Sequence, residues 1–168
     1  MNRSRSALVS VVTPAYNTAP FIRQTIQSVR SQDYPAIEHI VIDGGSTDGT
    51  VDILRDYPHL TWVSEPDRGQ SHALNKGFRR ARGDIVGWLN ADDIYEPGAV
   101  SKAASYLQGN QSVAGVYSDC RIIDAEGELL HMHEARPFDA KSLLLSDYIP
   151  QQTVFLRRDV IDRVGDMN

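Results

Sequence analysis

A single cysteine, Cys120, in 168 residues leaves no partner for an internal disulfide, so packing alone must hold this chain together. Long apolar runs are missing as well. No stretch approaches the ~18 apolar residues that cross a bilayer. The early run from Ala7 to Val12 is interrupted by Ser10, and it is too short for a signal peptide behind the basic start Met1-Asn2-Arg3-Ser4-Arg5-Ser6. Positive charge is not in excess: 17 Lys and Arg stand against 22 Asp and Glu, for a net charge of −5, which argues against a nucleic-acid surface. Gly-x-Gly-x-x-Gly is absent, which disfavours a dinucleotide cofactor, and no Gly-Lys-Ser/Thr closes a P-loop.

What is present reads as one soluble-type domain. Apolar residues make up 41% and charged residues 23%, and the length suffices for a real core. Leu8–Thr13 reads as a buried strand stopped by Pro14, and Pro20–Gln32 as an amphipathic helix. Ile37–Ile42 is a second strand, followed by a short helix over Asp48–Tyr57 with Asp48 as its cap. Leu60–Ser64 and Asp84–Leu89 are further strands, separated by a helix over Gln70–Ala81. Four strand-helix units predict a parallel sheet covered on both faces, with every strand's C-terminal end on one edge, where open α/β sheets bind ligands. The second half reads as mixed or antiparallel. It holds a helix over Gly98–Leu107, a hairpin pairing Val113–Ile123 with Leu129–His133 around Gly127, a short helix over Lys141–Ser146, a strand over Thr153–Leu156 and a helix over Arg158–Val164.

Chemistry-bearing residues cluster where the first four strands end. The apolar run Asp84–Leu89 closes on Asn90-Ala91-Asp92-Asp93. Adjacent carboxylates are costly to bury unpaired, so they belong at a strand mouth, touching water, a cation or a ligand. Hard oxygen ligands there suit Mg²⁺ or Mn²⁺ shared with a phosphate. Taken alone, Asp92 and Asp93 could merely open a loop. Thr13-Pro14-Ala15-Tyr16-Asn17 leaves the first strand with a ring and an amide in an exposed turn, able to hold a planar base or simply to cap a helix. Asp43 ends the second strand, and Gly44-Gly45 after it permits close approach of a ligand. Of the basic residues Arg68, Lys76, Arg79, Arg80 and Arg82, only Arg68 and the turn-facing part of its helix could reach a ligand at that edge. His72 reads as a partly buried polar residue, and His131 and His133 as one face of a surface strand.

These segments, Val11–Asn17, Ile42–Thr50, Asn75-Lys76-Gly77 and Leu89–Asp93, resemble a family 2 glycosyltransferase from about Leu8 to the last residue. The resemblance implies a GT-A fold and transfer of a sugar, with inversion, from a nucleoside-diphosphate donor to an acceptor hydroxyl on a glycan, a lipid-linked molecule or another partner, as in polysaccharide assembly. It makes Thr13, Pro14, Tyr16 and Asp43 nucleoside contacts and places Asn75 beneath the same pocket. Asn90-Ala91-Asp92 stands at the family's DxD position, with Asp92 as metal ligand and Asp93 as a supporting or sugar contact. Asn90 departs from that pattern and lends the metal no charge. Gln151 and Gln152 fall in the segment that passes beside donor sugar and acceptor.

In such relatives a catalytic Asp or Glu follows the Val164-Gly165 region, and Asp166 comes too early for it. The expectation is therefore a single donor-binding domain over residues 1–168, cut before its base and inactive alone. It would be cytoplasmic, and it would meet the inner face of a membrane only through a lipid acceptor or through other segments. A binding module without catalysis is the non-enzyme alternative. A nucleotidyltransferase is the other, but it would call for a basic glycine-rich segment that Thr13–Asn17 is not.

Overall fold

The computed structural model describes residues 6–168; the start, Met1 to Arg5, lies outside the described residues. The first half runs β1 (Val9–Ala15), α1 (Ile22–Arg30), β2 (Ile37–Asp43), α2 (Thr50–Arg55), β3 (Thr61–Ser64), α3 (Gln70–Arg80) and β4 (Ile85–Trp88). The second runs α4 (Ala99–Gly109), β5 (Gly115–Val116), β6 (Cys120–Ile123), β7 (Leu129–His133), α5 (Ala140–Leu145), a 3₁₀ turn (Gln151–Thr153), β8 (Phe155–Arg157) and α6 (Arg158–Val164). Six strands form one sheet in the order β3-β2-β1-β4-β8-β5, and β6 and β7 form a separate ribbon. β1 to β4 pair in parallel, as expected, and β8 joins β4 antiparallel.

Alternation along β1 divides the core between the two faces of the sheet. Val9 and Val11 pack with Val29 of α1 and with Val100 and Leu107 of α4. Val12 faces the other way, with Ile40 and Ile42, onto Ala73, Leu74 and Phe78 of α3. α3 lies close to the sheet at Gly77, where a side-chain carbon would overlap Val12 Cγ1.

Two expectations need correcting. Pro14 does not stop β1, which continues opposite Ile42 and Asp43 of β2. Alternate residues of a parallel strand bond to opposite neighbours. Val12 accepts from Leu89 on the β4 side and Ala15 from Gly44 on the β2 side, so Pro14 turns its missing N–H to the side where pairing with β4 has ended at Trp88. The long hairpin is also divided. Val113 and Val116 pack against the main core, so β5 joins β8, while β6 and β7 remain as an exposed ribbon.

Candidate active site

The chain lays down β1, β2 and β3 in one direction and then places β4 on the opposite side of β1. The crevice between β1 and β4 is therefore the reversal point at which α/β sheets bind ligands. A cavity of about 780 Å³ opens there, lined by Pro14, Ala15 and Tyr16, by Gly44 and Gly45, by Asp67, Gly69 and Gln70, and by Asn90, Ala91 and Asp92. All three expected loops meet at it.

The wall made by the β1–α1 turn is fixed by polar stapling. Asn17, in left-handed backbone at φ 52°, donates its N–H to Ser46 Oγ at 2.7 Å and accepts from the Thr47 N–H at 3.0 Å. Asp48 accepts from the Ala19 N–H at 2.9 Å and from the Thr50 N–H and hydroxyl, bracing the turn before α2; the N-cap itself is Gly49, in left-handed backbone at φ 98°, rather than Asp48 as expected. The Thr50 hydroxyl bond is the main cause holding the Asp48 carboxyl below the usual carboxylate range. Tyr16 stands clear of this staple with 65% of its surface exposed, its ring against the cavity.

Opposite it, the Asn90–Asp93 loop is held from below by α1. The Thr25 hydroxyl donates to the carbonyls of Ala91 and Asp93 at 2.8 and 2.9 Å, and Ser28 Oγ accepts from the Tyr95 N–H at 3.1 Å. Asn90 is locked from both sides: its Nδ2 donates to Gln151 Oε1 at 3.0 Å and its Oδ1 accepts from Gln70 Nε2 at 2.7 Å. Gln151 in turn donates to the Trp88 carbonyl at 3.0 Å. Asp92 is exposed at the cavity edge. Asp93 turns away from the cavity into partial burial, which pushes its carboxyl up to about 6, with the Asp92 charge adding to the effect.

The third side is the N-terminal end of α3. Gly69, Gln70 and Ala73 line the cavity, and the first turn of α3 carries no acidic residue and no side-chain cap, so its free N–H groups favour an anion. Lys76 pairs with Glu65 at 2.8 Å and holds the β3–α3 loop. The chain returns to α3 after α6: Asp166 pairs with Arg79 at 3.0 Å, and Asn75 exchanges hydrogen bonds with the Met167 backbone at 2.8 and 2.9 Å.

A strand-end cavity with a platform, a helix terminus and a free carboxylate narrows the choice of relatives, and the sequence settles it. Residues 10–165 match the family described as Glycosyl transferase family 2. The chain belongs to that family. It is 34% identical to chondroitin synthase of Escherichia coli over 149 residues, 86% of this chain and 22% of that protein. It is 32% identical to the teichuronic acid biosynthesis glycosyltransferase TuaG of Bacillus subtilis over 142 residues, covering 79% and 56% of the two chains. This chain thus spans between 22% and 61% of the first curated relatives it matches, less than two thirds of each. A mannosyltransferase of Pyrobaculum calidifontis, solved with GDP-Man and Mn²⁺, superposes with a TM-score of 0.74 at 26% identity, over 98% of this chain and 48% of that one. TarS of S. aureus, at 20% identity and a TM-score of 0.75, shares the fold. The sheet and its flanking helices are those of a GT-A domain.

Within this family 2 chain the expected site residues separate into two groups. Pro14, Ala15, Tyr16, Gly44, Asn90, Ala91 and Asp92 come together around the cavity. Thr13, Asn17, Asp43, Arg68, Asn75, Asp93, Gln151 and Gln152 do not line it. Thr13 is buried in the sheet with its hydroxyl on His39 at 2.9 Å. Asp43 is fully buried and its carboxylate is already occupied, accepting from Gly45, Ser46 and Ser64. Asn75 is engaged by Met167, and Gln152 donates to Cys120 Sγ at 2.7 Å. The Arg68 N–H closes a turn onto His72 Nδ1 at 3.1 Å, and its guanidinium makes no ion pair among the described residues.

Among the residues missing from the expectation that line the cavity are Asp67 and Gln70, with Thr18, Gly45, Pro66, Gly69 and Ala73 beside them. Gln70 follows Gly69 and Asp67 stands between Pro66 and Arg68, so the segment Glu65–Gln70 signals a loop but gives no side-chain direction. Among the described residues no three His, Cys, Asp or Glu side chains could together enclose an ion. The donor set fits a cation held by one carboxylate and completed by phosphate oxygens, a usual arrangement for Mg²⁺.

Proposed function

We propose that this domain binds a nucleoside-diphosphate sugar and transfers the sugar, with inversion, to an acceptor hydroxyl in glycan or polysaccharide assembly. The observation that carries this reading is the free Asp92 carboxylate, facing Tyr16 and the α3 N-terminus across one cavity at the sheet's reversal point. The base lies against the Tyr16 ring, and the diphosphate lies between the first turn of α3 and Asp92. Asp92 would hold Mg²⁺ or Mn²⁺, and the ion would supply charge neutralisation for a diphosphate leaving group. Asn90, locked by Gln70 and Gln151, fixes the loop that presents Asp92. Inverting transfer also needs a base for the acceptor hydroxyl. Asp166 is held on Arg79 and is not free to serve as that base. The acceptor is a glycan, a lipid-linked molecule or another hydroxyl. Among the described residues no helix is long and apolar enough to cross a membrane, so a membrane would be met through a lipid acceptor or another segment.

Titration calorimetry of UDP and GDP with and without Mn²⁺ tests the assignment. Asp92→Ala should abolish the Mn²⁺-dependent part of binding, and Asp93→Ala should reduce it far less. Equal Mn²⁺-dependent affinity in wild type and Asp92→Ala would overturn it.

A further inference from the structure

A second cavity, of about 700 Å³, lies between α4 and the strands β5 to β7, and it shares no lining residue with the first. Buried Ala103 and Phe155 line it, together with Val116 of β5 and two exposed side chains, Tyr106 of α4 and Met132 of β7. The segment after β7 hangs on its rim. The Tyr117 hydroxyl donates to the Arg136 carbonyl at 2.7 Å, and Asp119 accepts from the Ala135 N–H at 2.7 Å; Tyr117 and Asp119 both line the cavity. That segment runs on into α5, which buries none of its residues and holds Leu144 and Leu145 88% and 90% exposed. An apolar hollow and an apolar projection thus stand as neighbours. We propose that a second copy of this chain docks here, each copy's α5 leucines seated in the other's cavity. This pairing is independent of what the first cavity binds.

Leucines held in water by a short helix carry a cost that burial against a partner recovers. Tyr106, Leu130, Met132, Phe138, Leu144 and Leu145 are all exposed, and together they display on the order of 800 Å² of largely apolar surface. That exceeds the ~300–600 Å² of the largest patch on an ordinary monomer and matches the ~800 Å² that each partner of a standard interface buries. The nearness of hollow and projection selects a second copy as the occupant, because one two-fold rotation forms both contacts at once and closes the pair. Charge agrees. Around α5, Arg136 and Lys141 are offset by Glu134, Asp139 and Asp147, and on the rim Lys102 and Arg121 stand with Glu96 and Asp119. Neither set has the basic excess that draws a helix to an anionic lipid surface, and neither is of one sign that would repel its own copy. Tyr95 and Glu96 line the cavity just after the Asn90–Asp93 loop, so a seated partner braces that loop from behind.

Analytical ultracentrifugation of the 168-residue chain over about 1–200 µM tests this. Wild type should distribute between monomer and dimer alone. Leu144→Glu with Leu145→Glu removes the projection, and Tyr106→Glu with Met132→Glu blocks the hollow. All four side chains are exposed, so circular dichroism should report an intact fold in both double variants. Each double variant by itself should dimerise at least about tenfold more weakly than wild type. Mixed together they should associate again, because the projection of one still fits the hollow of the other and one of the two contacts returns. A wild type that stays monomeric across the range overturns the proposal, and so does one that builds an open series of larger oligomers. A dimer that survives either double variant puts the interface elsewhere and overturns it as well. Two folded variants that remain apart on mixing refute the seating of leucines in the cavity.

Discussion

Ser64 Oγ donates to Asp43 Oδ2 at 2.6 Å and so ties the last residue of β3 to the last residue of β2. The same oxygen accepts from the Gly45 and Ser46 N–H groups at 3.1 and 2.9 Å. This carboxylate organises the loop beneath the cavity.

Asp43→Ala should consequently act on stability before it acts on nucleoside recognition. It leaves the part-buried donors of Gly45, Ser46 and Ser64 without their acceptor, and the loss should be about 1–3 kcal/mol in all. Urea denaturation should show a large fall in midpoint. Nucleotide and pyrophosphate binding, measured on the folded fraction, should weaken together.

His39 makes stability depend on pH in a definite direction. It is buried between β1 and β2, with Nε2 on Thr13 Oγ1 and Nδ1 without a partner. Burial, with a lesser push from His59, lowers its pKa to about 3. The folded value lies below the unfolded one of about 6.5, so the unfolded chain protonates first. The stability is fully present above about pH 6.5 and is lost as pH falls towards 3. Between pH 7 and pH 5 the loss from this residue should be about 2 kcal/mol. His39→Gln should flatten that part of the urea-derived stability profile, and an unchanged slope would refute the assignment.

Gly77 sets the distance between α3 and the sheet. A side-chain carbon there would overlap Val12 Cγ1 and touch Ile42 Cγ1 at 3.4 Å. Alanine is the better helix former by about 1 kcal/mol, yet Gly77→Ala should destabilise by about 1–3 kcal/mol, because overpacking of a fixed helix-sheet contact dominates. Because α3 also brings Gly69 and Gln70 to the cavity, thermal unfolding should fall and nucleotide affinity should fall with it.

The strands β1 to β4 were legible because valine and isoleucine runs end abruptly in polar, glycine-rich segments. That placed all three loops of the cavity correctly. It could not say which way each side chain turns. Thr13 points to His39, Asp43 to Ser64 and Asn75 to Met167, and in each case the partner is remote in sequence and invisible to local pattern. Asp67 escaped notice for the converse reason: its placement depends on the side chain that Gly44 lacks. β5 was read into a hairpin because its apolar run continues into β6, and only packing of Val113 and Val116 on the main core distinguishes the two.

The antiparallel insertion of β8 beside β4 has a consequence for synthesis. Ile85, Val86 and Gly87, which carry the Asp92 loop at their end, hydrogen-bond on one side to β1 and on the other to Phe155, Leu156 and Arg157. A chain emerging from the ribosome can assemble the β3-β2-β1-β4 half early, but it then shows β4 as a bare edge until almost the whole segment has been made. Such an edge is open to pairing with any extended neighbour. Gln151, which secures Asn90, arrives on the same late segment. The half of the domain that is read first therefore waits for Gln151 and β8 to be translated before its acidic loop is fastened.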